Sequence, residues 1–347
     1  MKNPVKSRPR HFGGHRYALH RLTILVVLFG LSSQAIGRAA PPDPDPARFL
    51  EEYRLAIREL EKQTRTFSVE GEVIIEYALR TDDTKKFIQD ITYAAGDRDE
   101  VWTTVTKAGL RHPDERKVAV LIQPKRAVVM KQLTPRKGYS IVNLLKNPSD
   151  LRGAWSEDKT TYITPALTVG QISLVRPVAS GRFQVRSVRR VELRGRPLLR
   201  VDFTCPPNAK GGDPVDAIDI AGWMTVDPAL GHAICEHDVR LTYPGKSYFD
   251  HQSKGKVTYQ DHTNGIPLPK EVDISLTEPF AKTYHFVATK ASSVPLPPRE
   301  FTLDAFGLGD FDAIPGQGSN HATAWSFGIG ALALALGLFL KDRIRSR

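Results

Sequence analysis

The chain has 347 residues, and its 49 lysines and arginines outnumber its 38 aspartates and glutamates to give a formal net charge of +11. The excess lies at the two ends: residues 1–39 carry seven basic residues and no acidic one, and residues 341–347 carry four basic residues and one acidic. Between them stand 38 basic and 37 acidic residues, so the charge gives no support to nucleic-acid binding.

The N-terminal segment has the layout of a secretory signal peptide. Basic residues come first, the apolar run LTILVVLFGL (residues 22–31) follows, and small residues precede Pro41. We predict that residues 1–39 form a signal peptide that is cleaved after Gly37 or Ala39. An uncleaved signal anchor is the alternative, but the apolar run is short for spanning a membrane.

The main domain is predicted to cover residues 46–308 and to begin with an amphipathic helix. Asp45 can cap this helix, with Pro46 at its first position, and the pattern extends to Gln63. The apolar residues recur at intervals of three and four, at Phe49, Leu50, Tyr53, Ile57 and Leu60. The spacing indicates a helix with one buried face.

The sequence after the helix alternates in the manner of β-strands. In FSVEGEVIIEYAL (residues 67–79) most apolar side chains occupy odd positions, and Gly71 marks a bend. Similar runs continue to residue 291, separated by turn signals such as Asn264-Gly265. The short connections predict an antiparallel meander of roughly ten or eleven strands.

Residues 139–180 interrupt the series of predicted strands, because their apolar residues do not follow the strand alternation. We predict a short helix over residues 141–145 and a second helix over residues 164–175, capped by Thr164. The predicted fold class is therefore α+β, mainly antiparallel β. A strongly curved sheet, or half-barrel, carries an N-terminal helix and a helical lid insert over its concave face, and a single transmembrane helix follows at the C-terminus.

The C-terminal part is predicted to comprise a docking segment, a linker, a membrane span and a tail. Residues 295–308 are similar to a closing segment of exported bacterial proteins of unknown function, and they should dock on the domain through Phe301, Leu303, Phe306 and Leu308. Residues 309–321 form the linker. Residues 322–340 carry no charge and would span about 28 Å as a helix, and the basic tail 341–347 should stay in the cytoplasm. A buried core helix is the alternative to the span.

Several stretches together resemble the Lol-type carriers of the outer-membrane lipoprotein sorting pathway. They are the first helix with the strand FSVEGEVIIEYAL, the turn and returning strand GWMTVDPALGHAICEHDVRL (residues 222–241), and GIPLPKEVDISL (residues 265–276). The likeness covers most of residues 46–291 as a pattern, and no single residue carries over. It implies a half-barrel with an apolar hollow that holds acyl chains. Those carriers are soluble shuttles, whereas this chain is predicted to be anchored.

Two sets of side chains are candidates for binding. An apolar set would line the hollow: Phe67, Val69, Val73, Ile75, Tyr77, Phe87, Ile91 and Tyr93. A basic set of even-numbered residues would share one face of a hairpin: Arg182, Arg186, Arg190, Arg194, Arg196 and Arg200. Such a face suits an anionic partner, either phospholipid headgroups or acidic polysaccharide. The alternative is a solvated outer face without a partner.

A cysteine and two histidines within residues 232–237 give a weaker hint of chemistry. Alternation places His232 and Cys235 on opposite faces of a strand. Cys235 and His237 share a face, but their Cβ atoms should lie about 6.5–7 Å apart, too far for a direct hydrogen bond. Packed hairpin residues are therefore favoured over a catalytic or metal site, and no catalytic residue and no metal ligand is assigned.

Two further features are left as structural residues. The Asp-His pairs at residues 250–251 and 261–262 are explained better as strand ends than as metal ligands. A disulfide between Cys205 and Cys235 is disfavoured, since the expected strand register separates them by about 17 Å along the sheet. A bulge would change that register, so the disulfide stays open.

We expect a non-enzymatic protein without cofactor, anchored in the cytoplasmic membrane with its domain on the periplasmic side. It would bind a lipid or a lipidated protein in the hollow of the sheet. The alternatives are an envelope scaffold or protein-interaction module without ligand, and a Cys/His-dependent hydrolase or metalloprotein. The oligomeric state is open.

Overall fold

The computed structural model describes residues 42–80, 83–109, 117–132, 138–148, 151, 159–208, 214–260, 266–277 and 281–309. The predicted signal peptide, the predicted span 322–340, the tail and all but the first residue of the linker lie outside these ranges. Within the described ranges, no helix combines the length and the apolar character that crossing a membrane requires. One compact unit of the structure begins at Asp43.

Helix α1 extends over Pro46–Gln63, as the sequence indicates. The side chain of Asp45 accepts a hydrogen bond from the backbone N–H of Arg48 at 3.2 Å and so caps the first turn. The buried face consists of Phe49, Tyr53, Ile57 and Leu60, which confirms the predicted amphipathic pattern. Leu50 is only partly buried at the edge of that face.

Of the fifteen strands in the described residues, thirteen form one antiparallel sheet. The strands of this sheet are β1 Ser68–Arg80, β2 Asp83–Ala95, β3 Glu100–Ala108, β4 Lys117–Gln123, β5 Arg126–Gln132, β6 Ser140–Leu145, β9 Gln184–Leu193, β10 Arg196–Cys205, β11 Asp219–Asp227, β12 Ala233–Thr242, β13 His251–Tyr259, β14 Pro269–Leu276 and β15 Lys282–Ser292. Their order across the sheet is β6-β5-β4-β3-β2-β1-β15-β14-β13-β12-β11-β10-β9. The sheet is large and curved, and the predicted antiparallel meander is confirmed, with thirteen strands instead of roughly ten or eleven.

The first and last strands of the sheet pair with each other in its middle. Ser68 of β1 lies opposite Ser292 of β15, so two runs of neighbouring strands are joined there. The register of this pair shifts between Glu70 and Gly71. A Cβ atom at Gly71 would come within 2.5 Å of the Phe286 ring, so a glycine is needed at the predicted bend.

The insert between the two runs differs from its prediction. Residues 141–145 belong to strand β6, an edge strand that pairs with β5, and not to a helix. Residues 164–175 form a 3-10 turn over Pro165–Leu167 and a two-stranded hairpin, β7 Thr168–Val169 and β8 Ile172–Ser173. A short helix α2 over Val175–Ala179 follows. Apolar runs this short do not distinguish strand from helix, and pairing with β5 decides the outcome for β6.

Three apolar clusters stabilise the fold. The first two lie on the face of the sheet that packs against α1 and the insert, here called the inner face. The third lies on the opposite, outer face of β2 to β5, where Phe301 and Leu303 cover Ala94, Val101 and Leu121. The predicted docking of residues 295–308 is therefore confirmed.

Candidate functional site

A cavity of about 470 Å³ opens on the inner face of the sheet. Four parts of the chain enclose it: the last turn of α1, the β2–β3 hairpin, strand β4 and the insert. Its walls are formed by Glu61, Thr64, Arg65, Tyr93, Ala95, Gly96, Asp97, Arg98, Glu100, Trp102, Val120, Ile122, Thr164, Leu167, Ser173 and Val175. The volume lies within the range of roughly 300–1,000 Å³ that is usual for small-molecule sites.

The floor of the cavity is apolar because alternate residues of three neighbouring strands point to the inner face. The residues that share this orientation are Tyr93, Ala95, Trp102, Val120 and Ile122. Tyr93 lies directly opposite Trp102, and Trp102 lies opposite Val120, so the three side chains form one row across the sheet. Leu167 and Val175 of the insert complete the apolar wall.

The rim of the cavity is polar and carries charges of both signs. Arg65 forms an ion pair with Glu61 at 3.2 Å at the end of α1, where Arg65 is exposed and Glu61 is partly exposed. Asp97 and Arg98 are exposed in the β2–β3 turn, and Glu100 accepts a hydrogen bond from the Tyr93 hydroxyl at 3.4 Å. The arrangement suits a ligand with an apolar part inside and a polar part in water.

The eight predicted lining residues share the inner face, but only Tyr93 borders the cavity. Four others are buried in the first cluster: Phe67, Val69, Val73 and Ile91. Ile75 packs against that cluster. Tyr77 and Phe87 stack on each other near the other end of β1 and β2, with ring centroids 5.2 Å apart. Most of the predicted hollow is therefore packed core.

The Tyr162 side chain of the insert packs on the inner face beside Trp102, which is a wall of the cavity. The ring of Tyr162 stacks on Phe286 with centroids 5.4 Å apart, and it also contacts the ring of Trp102 at 5.9 Å. Trp102 in turn meets Tyr93 at 5.8 Å. The walls of the cavity include neither Tyr162 nor Phe286, so beyond Trp102 the inner face is occupied by packed rings.

Hydrogen bonds hold the tip of the β7–β8 hairpin on the sheet. Both tip residues, Gly170 and Gln171, adopt positive φ angles of 53° and 70°, as a two-residue hairpin turn requires. The backbone N–H of Gly170 donates to Nε2 of His237 at 3.2 Å, and the Gln171 amide donates to the Tyr284 hydroxyl at 2.8 Å. The insert is thereby fixed to β12 and β15.

His237 is fully buried, and burial lowers the pKa of its imidazole to about 4, with Asp238 opposing the shift. The ring is therefore neutral at pH 7. Because Nε2 accepts from Gly170, the hydrogen of the neutral ring is placed on Nδ1. The ring lies over Gly255, which is the residue directly opposite on β13.

The two cysteines are free and separate. Burial raises the pKa of each thiol to about 12, so both are protonated at neutral pH. Cys205 lies opposite Ile220, and Ile220 lies opposite Leu241, six residues along β12 from Cys235. The expected offset between the cysteines is confirmed.

A bulge in β12 corrects the assignment of faces around Cys235. Thr225 pairs with Glu236 and Val226 with Ile234, which leaves Cys235 as the extra residue. Simple alternation along β12 would put the Ile234 side chain on the other face of the sheet from Val239 and Leu241. All three side chains nevertheless belong to the second cluster.

His232 and the polar residues that follow this strand have structural surroundings. His232 lies in the turn before β12 with a φ of 63°, and its ring contacts Phe49 of α1 at 5.8 Å. Asp250 accepts a hydrogen bond from the Tyr243 backbone. The pair at 261–262 lies outside the described residues.

The arginine set does not form one face. Arg182 is buried and bonds to Asp216 at 3.0 Å. Arg190 pairs with the buried Leu199, so its side chain leaves the sheet on the inner side. The reason is a bulge at Arg186, where the register between β9 and β10 shifts and alternation breaks.

The rest of the arginine set is distributed over a turn and the outer face. Arg194 is in the turn, with a φ of 54°. Arg196 and Arg200 lie on the outer face, where Arg200 stacks over Trp223 at 4.0 Å. Arg189 has an odd number and was therefore not included in the set, yet it lies directly opposite Arg200 on that face.

One group of possible metal ligands was not recognised from the sequence. Within the described part of the chain, Glu271, Asp273 and His285 come together on β14 and β15. Nδ1 of His285 lies 2.6 Å from Asp273, and both of these side chains are about half exposed on the outer face. The sequence signal would have been the cross-strand pairing of Asp273 with His285, which requires the register to be known.

No protein-family model matches the chain, and no curated protein is detectably similar to it. Among solved structures, it is similar to a domain described as an outer membrane lipoprotein-sorting protein from Vibrio parahaemolyticus (8% identity, 74% of this chain and 99% of that chain, TM-score 0.42). A LolA superfamily protein from Nitrosomonas europaea matches at 12% identity, 76% and 99% coverage and TM-score 0.37. A DUF1329 family protein from Desulfovibrio piger matches at 12% identity, with 76% of this chain and 100% of that chain covered and a TM-score of 0.42. The predicted resemblance to Lol-type proteins is confirmed as a similarity.

Proposed function

We propose that this protein binds the acyl part of a lipid or of a lipidated partner in the cavity between α1, β2 to β4 and the insert. The observation that carries the proposal is the combination of an apolar floor with a charged rim around a volume of about 470 Å³. Small-molecule sites are typically concave and mostly apolar, with a few polar groups that orient the ligand. An amphiphile meets both parts of this surface.

A non-enzymatic role is part of the proposal. The raised pKa of both thiols opposes their use as nucleophiles, because the thiolate is the reactive form. The neutral imidazole of His237 accepts a backbone hydrogen bond from the insert and is buried beneath it. These contacts favour a structural role for the residues that first suggested chemistry.

The proposed location follows from the two ends of the sequence. A signal peptide over residues 1–39 would export the chain, and a span over residues 322–340 followed by a basic tail would anchor it in the cytoplasmic membrane. The cavity would then lie on the extracytoplasmic side, close to the membrane that supplies its ligand.

A photoreactive fatty acid tests the proposal. We expect palmitic acid with a diazirine group to label the cavity walls of the full-length protein, held in an amphipathic polymer without detergent. Val175→Trp would place an indole in the cavity and should lower this labelling at least tenfold. Val287→Trp makes the same exchange at a residue that is 40% exposed on the outer face, and it should leave labelling unchanged. Equal labelling of all three proteins would contradict the proposal.

A scaffold without ligand is the second candidate, and one observation favours it. The inner face next to β15 is filled by Tyr162, Trp102 and Phe286, as expected for a sheet that needs no ligand to complete its core. Absence of any saturable labelling in the experiment above would support the scaffold and rule out the acyl-binding site.

A further inference from the structure

We infer that the cavity accepts one acyl chain at a time, so that its ligand is a single-chain amphiphile such as a fatty acid or a lysophospholipid. The inference rests on the proposed function and narrows it, because lipids with two or three chains would be excluded from full insertion. Three independent features of the cavity lead to it.

The first feature is the volume. An apolar cavity of about 150 Å³ holds one benzene ring, or roughly 25 Å³ for each carbon atom. At that density a cavity of about 470 Å³ accommodates on the order of 19 carbon atoms. One common acyl chain of about that size fills the space, and two such chains would need about twice the volume.

The second feature is that packed rings occupy the inner face beyond Trp102, a wall of the cavity. Trp102 is both a wall of the cavity and a partner of Tyr162, whose ring stacks on Phe286. Phe67 packs against Tyr93 with ring centroids 5.3 Å apart. A second chain could continue along the inner face only if these side chains left their contacts with one another.

The position of the Tyr162 ring is further fixed by the insert to which it belongs. The tip of the hairpin that follows it is hydrogen-bonded to His237 and Tyr284. Moving Tyr162 away from Phe286 would therefore strain a segment that is attached to two strands. This attachment keeps the packed rings beyond Trp102 in place.

The third feature is the charge at the mouth. The Glu61–Arg65 ion pair at the end of α1 and the exposed Asp97 and Arg98 of the β2–β3 turn all border the cavity. A headgroup that remains in water can meet either charge. A second acyl chain on the same headgroup would have to lie across these charged side chains, which disfavour contact with hydrocarbon.

The experiment compares probes that carry the same diazirine-labelled C16 chain. They are palmitic acid, a lysophosphatidylcholine, a diacyl phosphatidylcholine and a triacyl lipopeptide, each added to the full-length protein in an amphipathic polymer. Labelled residues are mapped by mass spectrometry of peptides. We expect both single-chain probes to label the segments 93–102 and 167–175 with one probe per protein, and the two larger probes to do so at least tenfold less.

The outcomes separate the inference from the proposed function. Labelling of these segments by the diacyl or triacyl probe at the level of palmitic acid, with the same loss in Val175→Trp, would overturn the single-chain inference and leave acyl binding in place. Labelling by none of the probes would overturn both. Val287→Trp should behave as the wild-type protein with every probe.

Discussion

Acid should weaken the native fold through His237, and the size of the effect can be worked out from its burial. The imidazole has a pKa of about 4 in the folded protein instead of its ordinary 6.5. Between these two values the unfolded chain binds more protons than the folded one, so stability falls as the pH falls. The free energy of unfolding keeps its full value with respect to His237 above pH 6.5, and it falls by about 3 kcal/mol by pH 4.

The physical cause is that a protonated His237 and the N–H of Gly170 would both be hydrogen-bond donors facing each other. Nε2 of His237 accepts from the N–H of Gly170, and a protonated ring has no lone pair left to accept with. A loss of about 3 kcal/mol is a large part of the roughly 5–15 kcal/mol that stabilises a typical domain. The β7–β8 hairpin would lose its attachment to β12 at the same time.

The assay is urea unfolding followed by tryptophan fluorescence between pH 7 and pH 4, on wild-type protein and on His237→Gln. Glutamine keeps an acceptor near Gly170 but does not titrate, so its stability should fall by about 3 kcal/mol less than that of wild type. Burial also lowers the pKa of His232, but this effect is present in both proteins and cancels. His285→Gln, which removes an exposed imidazole, controls for the loss of a histidine. Equal pH dependence in wild type and His237→Gln would refute the reasoning.

Two further substitutions test packing that the structure makes explicit. Gly255→Ala should destabilise the fold by about 1–3 kcal/mol in urea unfolding, because the new Cβ atom would lie 2.6 Å from Nδ1 of His237. Gly138→Ala, which meets no atom within 4 Å, should change stability little. Arg182→Ala should cost about 3–5 kcal/mol because it leaves a buried carboxylate short of a partner. Arg186→Ala, at an exposed residue, should change the free energy of unfolding by no more than about 0.5 kcal/mol. Similar losses for the two arginine variants would contradict the burial of Arg182.

The parts of the fold that could be predicted are those in which local pattern and tertiary contact agree. The apolar spacing of α1 and the alternation of β1 are long and regular, so their buried faces could be identified before any register was known. The docking of Phe301 and Leu303 could also be predicted, because a free linker would not carry such large apolar side chains.

The parts that could not be predicted depend on registers and on bulges. A single extra residue at Cys235 and another at Arg186 reverse the faces of the residues beside them. Alternation therefore put Arg190 on the wrong side of the sheet. Nothing in the local sequence marks either bulge.

The cavity could be predicted only as a hollow somewhere on the inner face. Its floor combines Tyr93 with Trp102 and Val120 from later strands, and Trp102 packs against Tyr162 from the insert. These residues are brought together by pairing across the sheet and by the path of the insert. The sequence indicates which strand faces are apolar, whereas the volume left between them depends on how all the side chains pack.

The pairing of β1 with β15 has a consequence for how the chain reaches its folded state. Partners such as Ser68 and Ser292 are separated by roughly 220 residues, and closing so long a loop has a high entropic cost before any contact rewards it. Neighbouring hairpins can form early on either side, but the seam between them needs the last strand. The other pairs in the sheet join strands that are neighbours in the sequence, so we expect this distant pair to form late and to leave two unpaired sheet edges until β15 is in place. During that interval the chain is most open to proteolysis, to pairing with other chains and to protection by chaperones.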